Sequence, residues 1–298
     1  MNWPTGCIRH NESLANHTSF RIGGPAEWYA EPSTLDELVQ LLREASRIGI
    51  PVSVLGGGTN TLAADRGVRG LVIHLGCEFR TIRQLSDAAE QTVILSCGAA
   101  LLTQRLVSLA VQQGWGDLEA LAGLPGQIAG AVAMNAQGIG RWVQRVRMVS
   151  SSGTVQELTQ DELQFNYRDA VLPAGVVTEV VLGLPRVPAA EAASRIKRAL
   201  NYRNTTQELR LPSAGCAFRN PPGGISAGRL IDQAGLKGVR IGDAQVSSRH
   251  ANFIVNLGQA RCEDVLALME YVRRHVWRMS GVSLEPELRV LGEGLCLA

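Results

Sequence analysis

The chain runs to 298 residues, 45% of them hydrophobic and 19% charged, with a net charge of +2. That length exceeds one typical compact core and predicts two or three domains. The mixed charge excludes long disordered tracts, and the near-neutral balance excludes general nucleic-acid binding while leaving room for a local basic phosphate pocket. Residues 1–6 carry no basic stretch followed by an apolar one, so no secretory signal is expected, and no apolar run reaches the length of a membrane span. The six cysteines, Cys7, Cys77, Cys97, Cys216, Cys262 and Cys296, are scattered. With no CxxC pair and no histidine at ligand spacing, they predict neither a metal site nor a disulfide framework, and most read as small buried apolar residues. Together these features predict a soluble cytoplasmic protein.

In chain order, Thr34 and Glu37 form a capping-box signature that opens a helix. Leu35, Leu38, Leu41, Leu42, Ala45 and Ile48 share its apolar face, and Gly49 ends it. A buried strand over 52–55 runs into Gly56-Gly57-Gly58-Thr59-Asn60, and a further strand at 71–75 completes a small βαβ-like unit. A strand at 92–95 and a helix at 101–113, closed by Gly114, come next. The stretch 121–135 is small, apolar and broken by glycine and proline, and neither period fits all of it. A β-hairpin is predicted over 146–155 around Ser152-Gly153, and a strand over 176–184. Near Pro185-Arg186-Val187-Pro188 the texture changes, a helix begins that runs to about Tyr202, and a domain boundary is expected. Beyond it lie a helix at 227–234, a strand at 252–256, a long helix at 263–280 and a returning strand at 284–291. The order is α+β, without the regular alternation of a doubly wound fold.

The segments able to carry chemistry are few. Gly56-Gly57-Gly58-Thr59-Asn60 lets successive backbone amides approach a phosphate closely, although a triple glycine after a strand is more often a plain turn. It is neither the dinucleotide fingerprint nor a Walker loop. Gly123-Leu124-Pro125-Gly126 with Gly130 is a second loop of the same kind, and two such loops favour one extended phosphate-bearing ligand. Arg168, in Tyr167-Arg168-Asp169, offers a planar fork for a carboxylate, or is a surface arginine paired with Asp169. Cys216, among small residues at 213–221, is a candidate proton donor or an inert buried thiol. Glu287 is a candidate general acid or a solvated surface carboxylate. No histidine pairs with a serine or cysteine at triad spacing.

Taken together, the segments at 18–26, 54–60, 122–135, 165–169 and 213–221, extended by 227–253 and 284–292, resemble the UDP-N-acetylenolpyruvoylglucosamine reductase family, in the family's order and over essentially the whole chain. Only 47 residues lie between Arg168 and Cys216. The longer form of the family carries a folded insert there, so the chain is similar to the shorter, type II form.

The resemblance implies an α+β architecture: a two-part FAD-binding domain of the vanillyl-alcohol oxidase type plus a C-terminal α+β substrate-binding domain. The expected division is 1–77 with a returning segment 282–298, then 78–186, then 187–281. It implies noncovalent FAD held by Gly56, Gly57, Gly58, Thr59, Asn60, Gly123, Pro125, Gly126, Gly130, Ala131 and Asn135. It implies NADPH as hydride donor and UDP-N-acetylglucosamine enolpyruvate as substrate, reduced to UDP-N-acetylmuramate for peptidoglycan synthesis. Arg168 would hold the carboxylate and stabilise the enolate, and Glu287 would assist it. The proton for C2 would come from Cys216, where the family normally has serine. Tyr167, Asn220 and His250, with Arg229 and Lys237, would contact the substrate's diphosphate or sugar. A monomer is expected, with no metal, nucleic-acid or membrane partner. Two other readings stay open: an FAD-dependent oxidase of a small alcohol or hydroxy acid on the same fold, and a flavin-free relative that binds a UDP-sugar.

Overall fold

The computed structural model describes residues 3, 6–88 and 91–292, so Cys296 and the end of the expected returning segment lie outside the described residues. The helix Leu35–Ile48 opens as its sequence requires: Thr34 Oγ1 accepts from Glu37 N at 3.2 Å, and the Glu37 carboxylate accepts from Thr34 N at 3.3 Å. Gly49, at φ 71°, ends it in the left-handed conformation that glycine adopts without cost. Leu38, Leu41, Leu42 and Ala45 are its buried face. The helix joins two strands of a four-stranded sheet ordered Ile8–Ser13, Pro25–Ala30, Val68–Ile73 and Val52–Val54. Val52–Val54 and Val68–Ile73 run parallel, and the first glycine loop leaves the end of Val52–Val54.

Contacts divide the chain into two compact units. The first holds Met1–Arg9, Tyr29–Gly57 and Gly70–Arg203. Its largest sheet has five strands ordered Ile82–Ala88, Thr92–Gly98, Gly175–Pro185, Val143–Ser150 and Val155–Thr159, each antiparallel to its neighbours. The predicted hairpin is its outer pair, turning through Gly153 at φ 78°. Leu95, Val146, Val180 and Leu182 face a core shared with Leu106, Val107 and Ala110 of the helix Thr103–Gln113. Ile196 joins the same core, so the helix Ala189–Thr206 falls in this unit as far as Arg203, beyond the break expected at 187. The aperiodic stretch 121–135 contains only one short helix, Ile128–Ala133, set between loops.

The second unit holds His10–Trp28, Gly58–Arg69 and Asn204–Ala298. Its core is one face of the long helix Cys262–Ser280, through Val265, Leu268, Met269, Val272 and Val276. Against that face pack the helix Ala227–Gln233 and the sheet Arg240–Ile241, Ala244–Val246, Ile254–Asn256. The returning strand is shorter than expected: Arg289–Leu291 pairs in parallel with Thr61–Ala63, while upstream only Pro286 bridges Phe218. Pro286 sits at a non-hydrogen-bonded position of that bridge, flanked by Arg219 N to Glu285 O and Glu287 N to Ala217 O, so its missing amide costs no bond. Burial pushes the Cys97 and Cys262 thiols up to about 12. Cys7 and Cys216 are half-buried and Cys77 is exposed, which departs from the expectation of buried cysteines.

Asp65 closes the N-terminus of the long helix. Its two carboxylate oxygens accept from Cys262 N at 2.8 Å and Glu263 N at 3.0 Å, satisfying two amides that have no partner inside the helix. Asp65→Ala is expected to lower the unfolding free energy by about 1–2 kcal/mol, read as a lower urea midpoint at unchanged slope. Asp65→Asn, which keeps one acceptor, should lose less; equal stability of all three proteins would remove the cap from the account.

Candidate functional site

The two glycine segments meet inside the first unit. A Cβ built on Gly57 would stand 3.1 Å from Gly126 Cα, and one on Gly56 would stand 3.4 Å from Gln127 Oε1. Gly58, at φ 63°, leaves no room for a side chain, since a Cβ there would lie 2.1 Å from His17 O. Gly123 and Gly126 are left-handed at φ 71° and 113°. Thr103, fully buried, holds the second loop: Oγ1 donates to Leu124 O at 2.5 Å and its amide donates to Gly126 O at 3.0 Å. Among the described residues the first-unit amides of Gly56, Gly57, Gly126 and Gln127 donate to no protein acceptor. Amides left open on two touching glycine loops fit a phosphate-bearing group such as the FAD pyrophosphate. Gly130 has nothing within 4 Å of its Cβ position, so the protein's own packing does not demand glycine there. Ala131 is buried. Pro125 lies in the second loop, and Thr59 is half-buried in the first.

Arg168 occupies the second position of a two-residue turn between Gln164–Asn166 and Asp169–Val171. Its φ of 57° is left-handed, at a position where turns of this sign take glycine or asparagine. Tyr167 precedes it at the hairpin tip and is exposed. The hairpin is seated by Phe165, whose ring fills the space left by the missing Cβ of Gly140. Asn135 Nδ2 adds a hydrogen bond to Asn166 O at 2.8 Å. The side chain of Asn135 is thus engaged with the protein, and so is its main chain, whose amide donates to Val132 O at 2.9 Å and whose carbonyl accepts from Gly138 N at 3.0 Å.

Cys216 and Glu287 lie on main-chain segments that meet within the second unit. Cys216 bridges Phe253, Ala217 N donates to Asn252 O at 2.8 Å, and Glu287 N donates to Ala217 O at 2.8 Å. Asn252, buried, grips the next residue at both ends: Oδ1 accepts from Phe218 N at 3.0 Å and Nδ2 donates to Phe218 O at 2.8 Å. Asn60 ties the end of the first glycine segment to the same region, through Nδ2 to Glu287 O at 3.2 Å and Arg289 N to Asn60 O at 3.0 Å. Ser19 Oγ donates to Ser213 O at 2.6 Å and fixes the start of the Cys216 segment. Thr103, Asn252 and Ser19 were not singled out by sequence. The one available signal was polarity inside apolar runs, which buried hydrogen bonding explains.

The remaining candidates cluster around the helix Ala227–Gln233. Asn220 Oδ1 accepts from Ala227 N at 3.0 Å, and Arg229 is exposed on the first turn. Lys237 is exposed and paired with Asp232 at 2.8 Å. His250 stacks edge-on against Phe253, with ring centroids 4.6 Å apart. Its Nδ1 is buried without a hydrogen-bond partner. Burial lowers its pKa below 6.5, so the ring is neutral at neutral pH. Below pH 6.5 the unfolded chain then binds the proton first, and stability falls with acidification until the folded state also protonates. Unfolding free energies at pH 7.5 and 5.5 should differ less in His250→Gln than in the unmodified protein; an unchanged difference would assign the pH dependence elsewhere.

Comparison with known proteins follows the same division. Residues 26–159 match an FAD binding domain, and residues 207–291 match the C-terminal domain of UDP-N-acetylenolpyruvoylglucosamine reductase. The chain is 43% identical over 293 residues to UDP-N-acetylenolpyruvoylglucosamine reductase 2 of Symbiobacterium thermophilum, covering 96% of this chain and 93% of that protein. It is 41% identical to the reductase of Heliobacterium modesticaldum, over 95% of this chain and 90% of the other. The crystal structure of the reductase from Thermus caldophilus aligns with a TM-score of 0.82 at 38% identity, over 95% of this chain and 99% of that one. The expected fold class stands: α+β, an FAD-binding domain followed by a C-terminal α+β domain. The chain belongs to the UDP-N-acetylenolpyruvoylglucosamine reductase family.

Proposed function

We propose that the chain is an FAD-containing, NADPH-dependent oxidoreductase that converts UDP-N-acetylglucosamine enolpyruvate to UDP-N-acetylmuramate for peptidoglycan synthesis. The observation that carries the reading is the extent of the family match, which runs through residues 207–291 as well as 26–159. An oxidase built on the same FAD-binding domain would have no need of that C-terminal domain. The described residues include no helix long and apolar enough to cross a membrane. The enzyme works as a cytoplasmic monomer.

Bound FAD supplies hydride transfer, from NADPH to the enolpyruvyl double bond. The open amides of Gly56, Gly57, Gly126 and Gln127 hold its pyrophosphate. Arg168 binds the substrate carboxylate and stabilises the negative charge that develops once hydride reaches C3. Glu287 assists at that carboxylate, and Cys216, whose segment is joined to that of Glu287 by the Ala217–Glu287 hydrogen bond, delivers the proton to C2. A thiol is a stronger acid than the serine hydroxyl it replaces. His250, neutral and with an open Nδ1, contacts the diphosphate or sugar together with Asn220 and Tyr167; Arg229 and Lys237 lend positive charge.

Two sets of variants test this. The Cβ of Gly130→Val has open space around it, so this variant should fold normally but purify with little flavin, whereas Gly57→Leu strikes Gly126 and should disturb the loop itself. Full flavin content in Gly130→Val would displace the cofactor from this loop. Arg168→Ala, Glu287→Gln and Cys216→Ala should be reduced by NADPH at the normal rate and reoxidised by the enolpyruvyl substrate roughly 10²–10³-fold more slowly. Cys216→Ser should stay active. Equal slowing of both half-reactions would make these residues structural.

A further inference from the structure

The segment 135–140 and the Arg168 turn are the two places in the first unit where non-glycine residues crowd into left-handed backbone near a candidate reacting group. Asn135, Gln137 and Gly138 have φ of 39°, 55° and 71°, and Arg168 has φ of 57°. Such conformations persist only where the surroundings enforce them. One side chain links the two. Asn135 Oδ1 accepts from Gly140 N at 3.0 Å, which closes its own loop. Its Nδ2 donates to Asn166 O at 2.8 Å, two residues before Arg168.

The Arg168 hairpin needs this support. It contains three residue pairs, Gln164 with Val171, Phe165 with Ala170 and Asn166 with Asp169, and it forms a sheet of only two strands. An isolated pair of strands that short is marginal in water. Phe165, packed over Gly140, anchors the middle pair. Asn166, the pair nearest the turn, is exposed, and its carbonyl is held by Asn135.

We propose that Asn135 is a positioning residue for the reductase reaction: its carboxamide fixes the hairpin that carries Arg168, and it serves the substrate half-reaction through that arginine. The inference rests on the role given to Arg168 above. It separates Asn135 from the loop glycines, whose service is to the cofactor.

Asn135→Gly keeps the left-handed backbone free of strain and removes both hydrogen bonds. Asn135→Asp keeps the acceptor for Gly140 N and removes only the donor to Asn166. Four measurements apply: flavin content, the rate of reduction by NADPH, the rate of reoxidation by the enolpyruvyl substrate, and hydrogen exchange of the amides at 164–171. Both variants should keep flavin content and NADPH reduction within twofold of the unmodified enzyme. Both should exchange the hairpin amides faster and be reoxidised on the order of 10- to 100-fold more slowly, as expected for a small displacement of a positioned group. Introduced into Arg168→Ala, Asn135→Gly should add no further slowing. Loss of flavin, or equal slowing of both half-reactions, would make Asn135 a cofactor residue and overturn the proposal. Slowing of the same size with and without Arg168 would overturn it as well. Should Arg168→Ala alone reoxidise at the normal rate, the role of Arg168 itself would fall; should Arg168→Ala be slow and Asn135→Gly normal, only the inference about Asn135 would.

Discussion

The close approach of two main-chain segments at Gly57 and Gly126 is the constraint on which the cofactor site depends. A Cβ on Gly57 would stand 3.1 Å from the Gly126 backbone, tighter than ordinary van der Waals packing. The approach leaves amides on both loops without a protein acceptor, and unpaired amides are costly unless a ligand or water satisfies them. The fold sustains the arrangement from behind. Thr103 holds the second loop through its hydroxyl and amide, and the strand Val52–Val54 delivers the first. The loops are therefore held by the protein's own contacts, and an anion site built in advance loses little on binding.

The groups assigned to the substrate are mounted differently. Arg168 sits on a short hairpin whose tip is in left-handed backbone, and its place is set by Phe165 against Gly140 and by the Asn135 carboxamide. Cys216 and Glu287 sit on neighbouring extended segments joined through Ala217, with Asn252 pinning Phe218 and Asn60 reaching the Glu287 carbonyl. In each case a buried or half-buried asparagine amide uses both its donor and its acceptor to fix main chain beside a reacting group. An amide has no charge to desolvate, so it does this at lower cost than an ion pair in the same place.

Much of the architecture was legible from local chemistry. The capping box at Thr34, the left-handed glycines at 49, 114 and 153, and the apolar faces of the long helices reappear where the sequence places them. These features follow from backbone sterics and from periodicity, which act over a few residues. The strand Ile8–Ser13 was not legible because its polar residues face outward and give no apolar alternation. The strand at 284–291 shrank to Arg289–Leu291 because the chain changes partner within it, from Ala217–Arg219 to Thr61–Ala63, a switch that no local pattern encodes.

The sequence by itself determined the family, the two glycine loops and the residue types able to bind a carboxylate and deliver a proton. These are carried by ordered motifs and by the chemistry of single side chains. Only the tertiary structure decided that Gly57 meets Gly126, that Ala217 joins the Glu287 segment to that of Cys216, and that Asn135 spends its carboxamide on the Arg168 hairpin. Each of these joins residues about 30 to 70 positions apart. No local propensity encodes such a contact; it exists because burial of the two cores fixes which main-chain groups are left facing one another.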